Sequence, residues 1–364
     1  MTEVPVIVLS GLTKTQKRTL RLADNKIALQ SGWDIDVLKI ELGELSLEPI
    51  DLSLTGFSIG EIDKVLSDPV DPAEDAIPAA RKVAVSLAGD IWTIGAHRVA
   101  CGDCRDAALM ARLVAGHAVD CAFLDAPYNV AIKGHAGGKG RVKHREFVMA
   151  AGEMTPAEFT AFLTEALGLC ARLSRDGAVH FVCMDHHHVG ELIAAGEAVY
   201  GARLNIAVWN KSNAGMGTLY RSKHELVFIF KVGDAPHTNA VQLGKHGRNR
   251  TNVWDYASVN TFGGRAGDLA LHPTVKPMAL VRDAIMDVTR RGQTVLDVFL
   301  GSGTTLIAAE RCGRVCFGAD IDPLYVDLAM DRFSALFGEE AILEETGETF
   351  AAVMARRAAE GGEG

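Results

Sequence analysis

The order of its apolar segments constrains this chain more than any other feature. From residue 119 to residue 337, short runs rich in Val, Phe and Leu alternate with longer stretches whose apolar residues recur at helical spacing. The runs are VDCAFLD (119–125), AVHFVCMD (178–185), LNIAVWN (204–210), HELVFIF (224–230), TVLDVF (294–299) and VCFGAD (315–320). Helices are expected at 156–173, 189–199, 275–291, Thr304 to Cys312 and 323–337. Apolar strands alternating with helices predict an α/β fold, a doubly wound, mostly parallel sheet covered by helices on both faces. A polar Gly/Asn-rich stretch, 233–270, interrupts the alternation.

Ahead of this region, residues 13–31 show helical periodicity with Thr13 as a cap, and a second helix is expected from Asp34 to Leu45. Together they form a small helical module within 1–66. The segment SDPVDPAEDAIPAARK has no apolar period and marks a linker within 67–87, ahead of a main domain over 88–338 and an acidic C-terminal tail over 339–364. No stretch approaches the ~20 apolar residues of a membrane span, and MTEVPVIVLSGLTK lacks a basic region leading into an apolar signal core. A cytoplasmic protein is expected. Its seven cysteines lack the spacing of a disulfide framework and are read as reduced thiols. Cys101 and Cys104 have the spacing of half a zinc site, but no second close pair follows, and consecutive residues such as His186, His187 and His188 project in different directions. No metal is expected.

The chain carries 37 Lys and Arg against 46 Asp and Glu, a net charge of -9. That imbalance lies at the ends: residues 1–90 hold 9 basic and 15 acidic side chains, residues 331–364 hold 3 and 8, and the middle holds 25 and 23. The middle is therefore the part suited to approach phosphate. Lys133, Lys139, Arg141, Lys143 and Arg145 lie in a glycine-rich run, and Lys245, Arg248 and Arg250 form a second basic cluster. Both are candidate DNA-contacting sets.

Two motifs carry chemistry. In Asp297-Val298-Phe299-Leu300-Gly301-Ser302-Gly303-Thr304, a strand enters a glycine turn and then a helix, so the backbone can approach a ligand closely. Asp320, ending the next strand, is placed to accept from ribose hydroxyls. Position 306 is Leu, where a dinucleotide fingerprint wants Gly, and the chain has no phosphate loop of the GxxxxGK[ST] type, which disfavours NAD and ATP. The second motif, Asp125-Ala126-Pro127-Tyr128-Asn129, follows the strand VDCAFL. It puts an acceptor and an aromatic face in the crevice where open α/β sheets bind ligands, a pairing suited to an exocyclic amine on a planar base.

Together these motifs resemble the S-adenosylmethionine-dependent amino DNA methyltransferases, with the catalytic motif first and the cofactor motif last, as in the family's permuted beta order. GDIWTIGAHRVACGDCRD (89–106), TLYRSKHELVFIFKVG (218–233), HPTVKPMALV (272–281) and GADIDPLYVDLAMDRF (318–333) extend the resemblance over 88–337. It implies a Rossmann-like methyltransferase fold, S-adenosylmethionine as cofactor and double-stranded DNA as partner, with no membrane and with a homodimer left open. By resemblance, Asp125 and the Ala126 carbonyl accept the target amino hydrogens, Pro127 holds the loop and Tyr128 stacks on the flipped base. Ala126 stands where the family usually has Pro, which bears on the stiffness of the loop. Phe299, Gly301, Gly303 and Thr304 would line the methionine end of the cofactor with Asp297 nearby, Asp320 would bind the ribose, Thr274 and Lys276 would hold the cofactor carboxylate, and Asp103 would sit by the adenine ring.

LTKTQKRTLRLADNKIALQSGWDIDVLKIEL, with the GF turn after it, resembles the trailing part of a ParB-like domain without its Gly-His-x-Arg segment. That implies a docking or DNA-proximal helical module. The activity implied is site-specific methylation of adenine N6, as in restriction-modification, with cytosine N4 and a catalytically silent DNA-binding protein as alternatives. Target choice is expected in 233–270, where Lys245, Arg248, Asn249, Arg250 and Asn252 can reach base edges or phosphates.

Overall fold

The structure, a computed structural model, describes residues 9–27, 33–130, 150, 152–214, 219–241, 250–258 and 275–361. It divides into two units: Met1–Asp68 with Ala240–Arg250, and Pro69–Asn239 with Thr251–Gly364. No helix among the described residues is long and apolar enough to cross a membrane.

The first unit is built on helices α1 (Lys14–Ile27), α2 (Ile35–Ser46) and α3 (Ile59–Leu66). Asp34 caps α2 by accepting from the Asp36 and Val37 amides, and Ser58 with Glu61 forms a capping box on α3. Leu22, Leu38, Leu42, Leu45, Phe57 and Ile62 make its core. The third helix is an addition to the two read from periodicity.

The second unit holds a sheet of strands β1 (Ile91–Ile94), β2 (His97–Cys101), β3 (Val119–Leu124), β4 (Ser174–Met184), β5 (Ala202–Lys211), β6 (His224–Lys231), β7 (Val253–Tyr256), β8 (Thr294–Asp297), β9 (Val315–Asp320) and β10 (Ile342–Leu343). Their order is β10-β1-β2-β9-β8-β3-β4-β6-β5-β7. The stretch from β2 to β4 is parallel; β6 runs antiparallel to both its neighbours, and β10, β1 and β2 pair antiparallel. Its helices among the described residues are α4 (Ala107–Val114), α5 (Pro156–Leu173), α6 (Val189–Val199), α7 (Met278–Val288), α8 (Thr304–Arg311), α9 (Pro323–Phe337) and α10 (Phe350–Gly361). Because side chains alternate along a strand, Cys121 and Phe123 of β3 face the layer of α7, α8 and α9, while Ala122 and Leu124 face α4, α5 and α6. This is the doubly wound sheet expected.

Three segments differ from the sequence reading. The supposed linker is strapped to the second unit: Arg81 pairs bidentately with Asp331 at 2.7 and 2.8 Å, and Asp327 accepts from the Val85 and Ser86 amides. The Glu74 carboxylate accepts from Arg311 at 2.9 Å, and the Asp75 carboxylate accepts from the Met278 amide at 2.8 Å. The supposed acidic tail adds β10 beside β1 and folds α10, burying Leu343, Phe350 and Val353. Part of the polar stretch 233–270 forms β7, parallel to β5, with Trp254 in the core.

Helix α6 approaches the sheet through Gly196, where an added Cβ would fall 2.4 Å from the Phe230 ring of β6. Gly196→Val should therefore cost about 1–3 kcal/mol of stability by overpacking, read as a lower midpoint of chemical unfolding. An unchanged midpoint would contradict this seating of α6.

Candidate active site

β3 and β8 lie side by side, yet the chain leaves β3 toward β4 and leaves β8 toward β9, on opposite sides. Such a switch point opens a crevice at the carboxyl ends of the two strands. Both motifs meet there. Asp125 follows β3 directly and Asp297 closes β8, near enough that the charge of Asp125 acts on Asp297.

The loop after β3 is held by its last residue more than by its proline. Asn129 takes a left-handed φ of 53° and is buried. Its amide nitrogen donates to the Met154 carbonyl at 2.8 Å, and its oxygen accepts from the Gly152 and Met154 amides at 3.1 and 3.2 Å. Ala126 is buried in the layer beneath. Packing and the Asn129 bonds thus supply stiffness where the family usually has a second Pro.

Asp125 sits in a buried ionic cluster. Lys276 donates to both its carboxylate oxygens at 2.7 Å, to the Tyr128 hydroxyl at 3.1 Å, and pairs with Glu225 at 2.9 Å. The Tyr128 hydroxyl donates to Asp125 at 2.8 Å. Lys211, ending β5, pairs with the other Glu225 oxygen. Its ammonium lies 4.8 Å from the Trp209 ring, and that of Lys276 lies 5.5 Å from the Tyr128 ring. Lys276 is 4% exposed and Glu225 6%. Burial opposes the charge of Lys276, but the Asp125 and Glu225 carboxylates outweigh it and raise its pKa. Burial likewise pushes Glu225 up, and the two ammonium groups outweigh it, so its carboxyl is held below the usual range. Lys276, expected at the cofactor carboxylate, thus has its ammonium on the side of Asp125. Glu225 and Lys211 were not singled out from sequence. The available signal was an acid one residue into the otherwise apolar strand HELVFIF.

On the other side of the switch point, Gly301 takes a φ of 52° and Gly303 a φ of 83°. Their surroundings differ. A Cβ on Gly303 would fall 2.8 Å from Ala329 of α9, whereas one on Gly301 would meet, among the described residues, only the Phe299 carbonyl of its own turn, at 3.9 Å. Gly303 therefore lets the turn pack, and among the described residues nothing crowds Gly301. Asp320 accepts from the Gly301 amide at 2.8 Å and from the Asp322 amide at 2.9 Å; Asp297 accepts from the Phe299 amide at 3.0 Å. Burial pushes Asp297 up to about 7 and Asp320 to about 6. Neither makes an ion pair among the described residues. Behind the turn, the buried Arg332 guanidinium donates to the Ser302 carbonyl and the Thr304 hydroxyl, both at 3.2 Å, and to the Glu74 carbonyl at 2.7 Å. Phe299 is half-buried, its ring 6.2 Å from that of Phe162. Asp103 lies just past β2, which neighbours β9, and its carboxyl is lowered by its pairing with Arg105 at 2.7 Å.

Thr274, Lys139, Arg141, Lys143, Arg145, Lys245 and Arg248 lie outside the described residues, as do Lys133 and Asn249; Arg250 is half-buried. Asn252, a candidate for reaching base edges, is turned to β5: its amide donates to the Ile206 carbonyl at 3.3 Å, and its own carbonyl accepts from the Val208 amide at 2.7 Å. Cys101 and Cys104 are both buried, and burial raises the pKa of each thiol.

Fold and site define a doubly wound α/β protein whose crevice joins a glycine turn to an acid-aromatic loop. Residues 119–331, more than half of the chain, match the profile described as DNA methylase, of the N6/N4 type, and the chain belongs to that family. Residues 36–87 match the ParB-methyltransferase HTH domain. Among curated relatives, the type II methyltransferase M.ScaI of Streptomyces caespitosus is 34% identical over 90 residues, 24% of this chain and 30% of M.ScaI. The type II methyltransferase M.HpaI of Haemophilus parainfluenzae is 22% identical over 235 residues, 61% of this chain and 70% of M.HpaI. Of solved structures, PvuII DNA methyltransferase (cytosine-N4-specific) aligns with a TM-score of 0.48 at 15% identity, covering 70% of this chain and 90% of that one. M1.HpyAVI aligns with a TM-score of 0.45 at 16% identity, covering 65% and 97%.

The anchoring of the acid-aromatic loop is open to a direct check. Asn129→Ala removes three hydrogen bonds and puts a Cβ residue without a local polar group at positive φ, so it should lose about 1–3 kcal/mol of stability in thermal unfolding. Wild-type stability in that variant would mean the loop is held elsewhere.

Proposed function

We propose that this chain is a site-specific DNA methyltransferase that transfers a methyl group from S-adenosylmethionine to the exocyclic N6 of adenine. The observation that carries this reading is the meeting of Asp125 and Tyr128 with the Asp297 to Gly303 turn at one switch point. The residues fit the cofactor: among the described residues, Asp297 and Asp320 are buried carboxylates with no cationic partner, and nothing crowds Gly301. A cationic ligand near these groups would draw their carboxyls toward the charged form. When bound, S-adenosylmethionine supplies an electrophilic methyl on a sulfonium.

The chain's own residues do the rest. Asp125 and the Ala126 carbonyl accept the hydrogens of the target amine and turn its lone pair toward the methyl. Tyr128 offers a ring to the base taken out of the helix, its hydroxyl tethered to Asp125. Asp320 serves the ribose, Asp103 the adenine side of the cofactor, and Phe299 and Thr304 line its methionine end. Lys139, Arg141, Lys143, Arg145, Lys245, Arg248 and Arg250 are proposed as phosphate contacts, with target choice in 233–270 outside β7. The helical unit serves as a DNA-proximal module.

Asp at position 125 favours adenine by the family's tendency, and the product decides. Duplex DNA incubated with the protein and methyl-labelled cofactor, then digested to nucleosides, should yield labelled N6-methyladenine; label in N4-methylcytosine would overturn the adenine assignment, and no label would overturn the enzyme. Asp125→Asn should lower turnover about 10²–10³-fold while cofactor affinity changes little. Near wild-type turnover would show that the acceptor is elsewhere.

A further inference from the structure

The cluster around Lys276 raises a problem that the proposed reaction does not itself resolve. A buried ammonium beside the acceptor carboxylate stands close to where a cationic methyl donor must react, and like charges in a site of low dielectric repel strongly. A buried ion pair is also weak evidence for stability, since apolar side chains of similar volume often serve as well. The arrangement therefore calls for a functional reason. It balances: Asp125 and Glu225 carry two negative charges, Lys211 and Lys276 two positive ones, and each ammonium touches at least one carboxylate.

Glu225 is the member that makes this balance. It reaches the cluster from β6 because β6 runs antiparallel to β4, with Leu226 opposite Met184, so that the start of β6 lies at the carboxyl end of β4. Trp209 pairs with it across β5, which brings Lys211 alongside. One Glu225 oxygen holds Lys276, and the other holds Lys211. Held there, Lys276 fixes both oxygens of Asp125 and the hydroxyl of Tyr128. We propose that Glu225, acting through Lys276, is a positioning and charge-balancing residue of the methyl-transfer site, setting Asp125 and Tyr128 while cancelling the repulsion between the Lys276 ammonium and a sulfonium cofactor. This rests on the reading of the crevice as an S-adenosylmethionine site.

The test compares two ligands that differ at the sulfur. S-adenosylmethionine carries a sulfonium, and S-adenosylhomocysteine, with the same carboxylate, ribose and adenine, carries a neutral thioether. Their affinities are measured by calorimetry on the full chain at pH ~8, where unpaired carboxylates stay charged. Glu225→Gln leaves one positive charge in excess and should shift the affinity ratio against the sulfonium by roughly fivefold or more, the scale of a unit charge in a buried site. Lys276→Met leaves a negative excess and should shift the ratio the other way, even if it weakens both ligands. Glu225→Asp should bring the ratio back toward wild type. A role confined to folding would weaken both ligands together, so ratios that stay at the wild-type value, or move the same way in both variants, overturn the proposal. Circular dichroism checks folding, and if Glu225→Gln does not fold, the sign for Lys276→Met decides. Wild-type protein that binds neither ligand would instead overturn the cofactor reading, and this proposal with it.

Discussion

The interaction on which the site depends is the buried ammonium of Lys276 between Asp125 and Glu225. It joins a loop after β3, a strand on the antiparallel side of the sheet and the segment leading into α7. Removing one partner of such a pair leaves a charge buried without compensation, typically worth about 3–5 kcal/mol. The same contact fixes the Asp125 carboxylate and holds the Tyr128 hydroxyl beside it. Stability and the chemistry proposed for the crevice thus fall on one cluster, on one side of a switch point whose other side is the glycine turn.

What holds the glycine turn is a second buried cation. Arg332 braces Ser302 and Thr304 from α9, and burial lowers its pKa to about 10. It also reaches the carbonyl of Glu74, while the neighbouring Asp75 caps the first amide of α7, two residues past Lys276. The Pro- and Asp-rich segment thus touches the supports of both halves of the crevice. Glu74 pairs with Arg311 and Asp75 accepts from the Met278 amide, so these two acids hold the segment against the rest of the second unit.

The parallel core was legible because its strands are apolar on both faces, and three helices were legible nearly to the residue because their starts are marked: Thr155-Pro156 before α5, Asp322-Pro323 before α9, and the end of an apolar run before α6. Short elements were not. The β1–β2 hairpin and α4 span four to eight residues each, too few for a period to show. β10 and α10 lie where acidic residues mask a small buried set, Leu343, Phe350 and Val353. In the site, Asp125 to Tyr128 and Asp297 to Thr304 were readable because each is contiguous. Glu225 and Lys211 were not, since their meeting is set by the register of β6 against β4 and β5, a relation among distant segments.

The most direct measurement is a crystal structure of the full chain with a duplex containing its target and S-adenosylhomocysteine. The account predicts a base turned out of the duplex with its ring against Tyr128, its exocyclic nitrogen within hydrogen-bonding distance of Asp125, and the cofactor sulfur on the far side of that nitrogen, toward Gly301. A target base left stacked in the duplex, or an amino group placed away from Asp125, would contradict it.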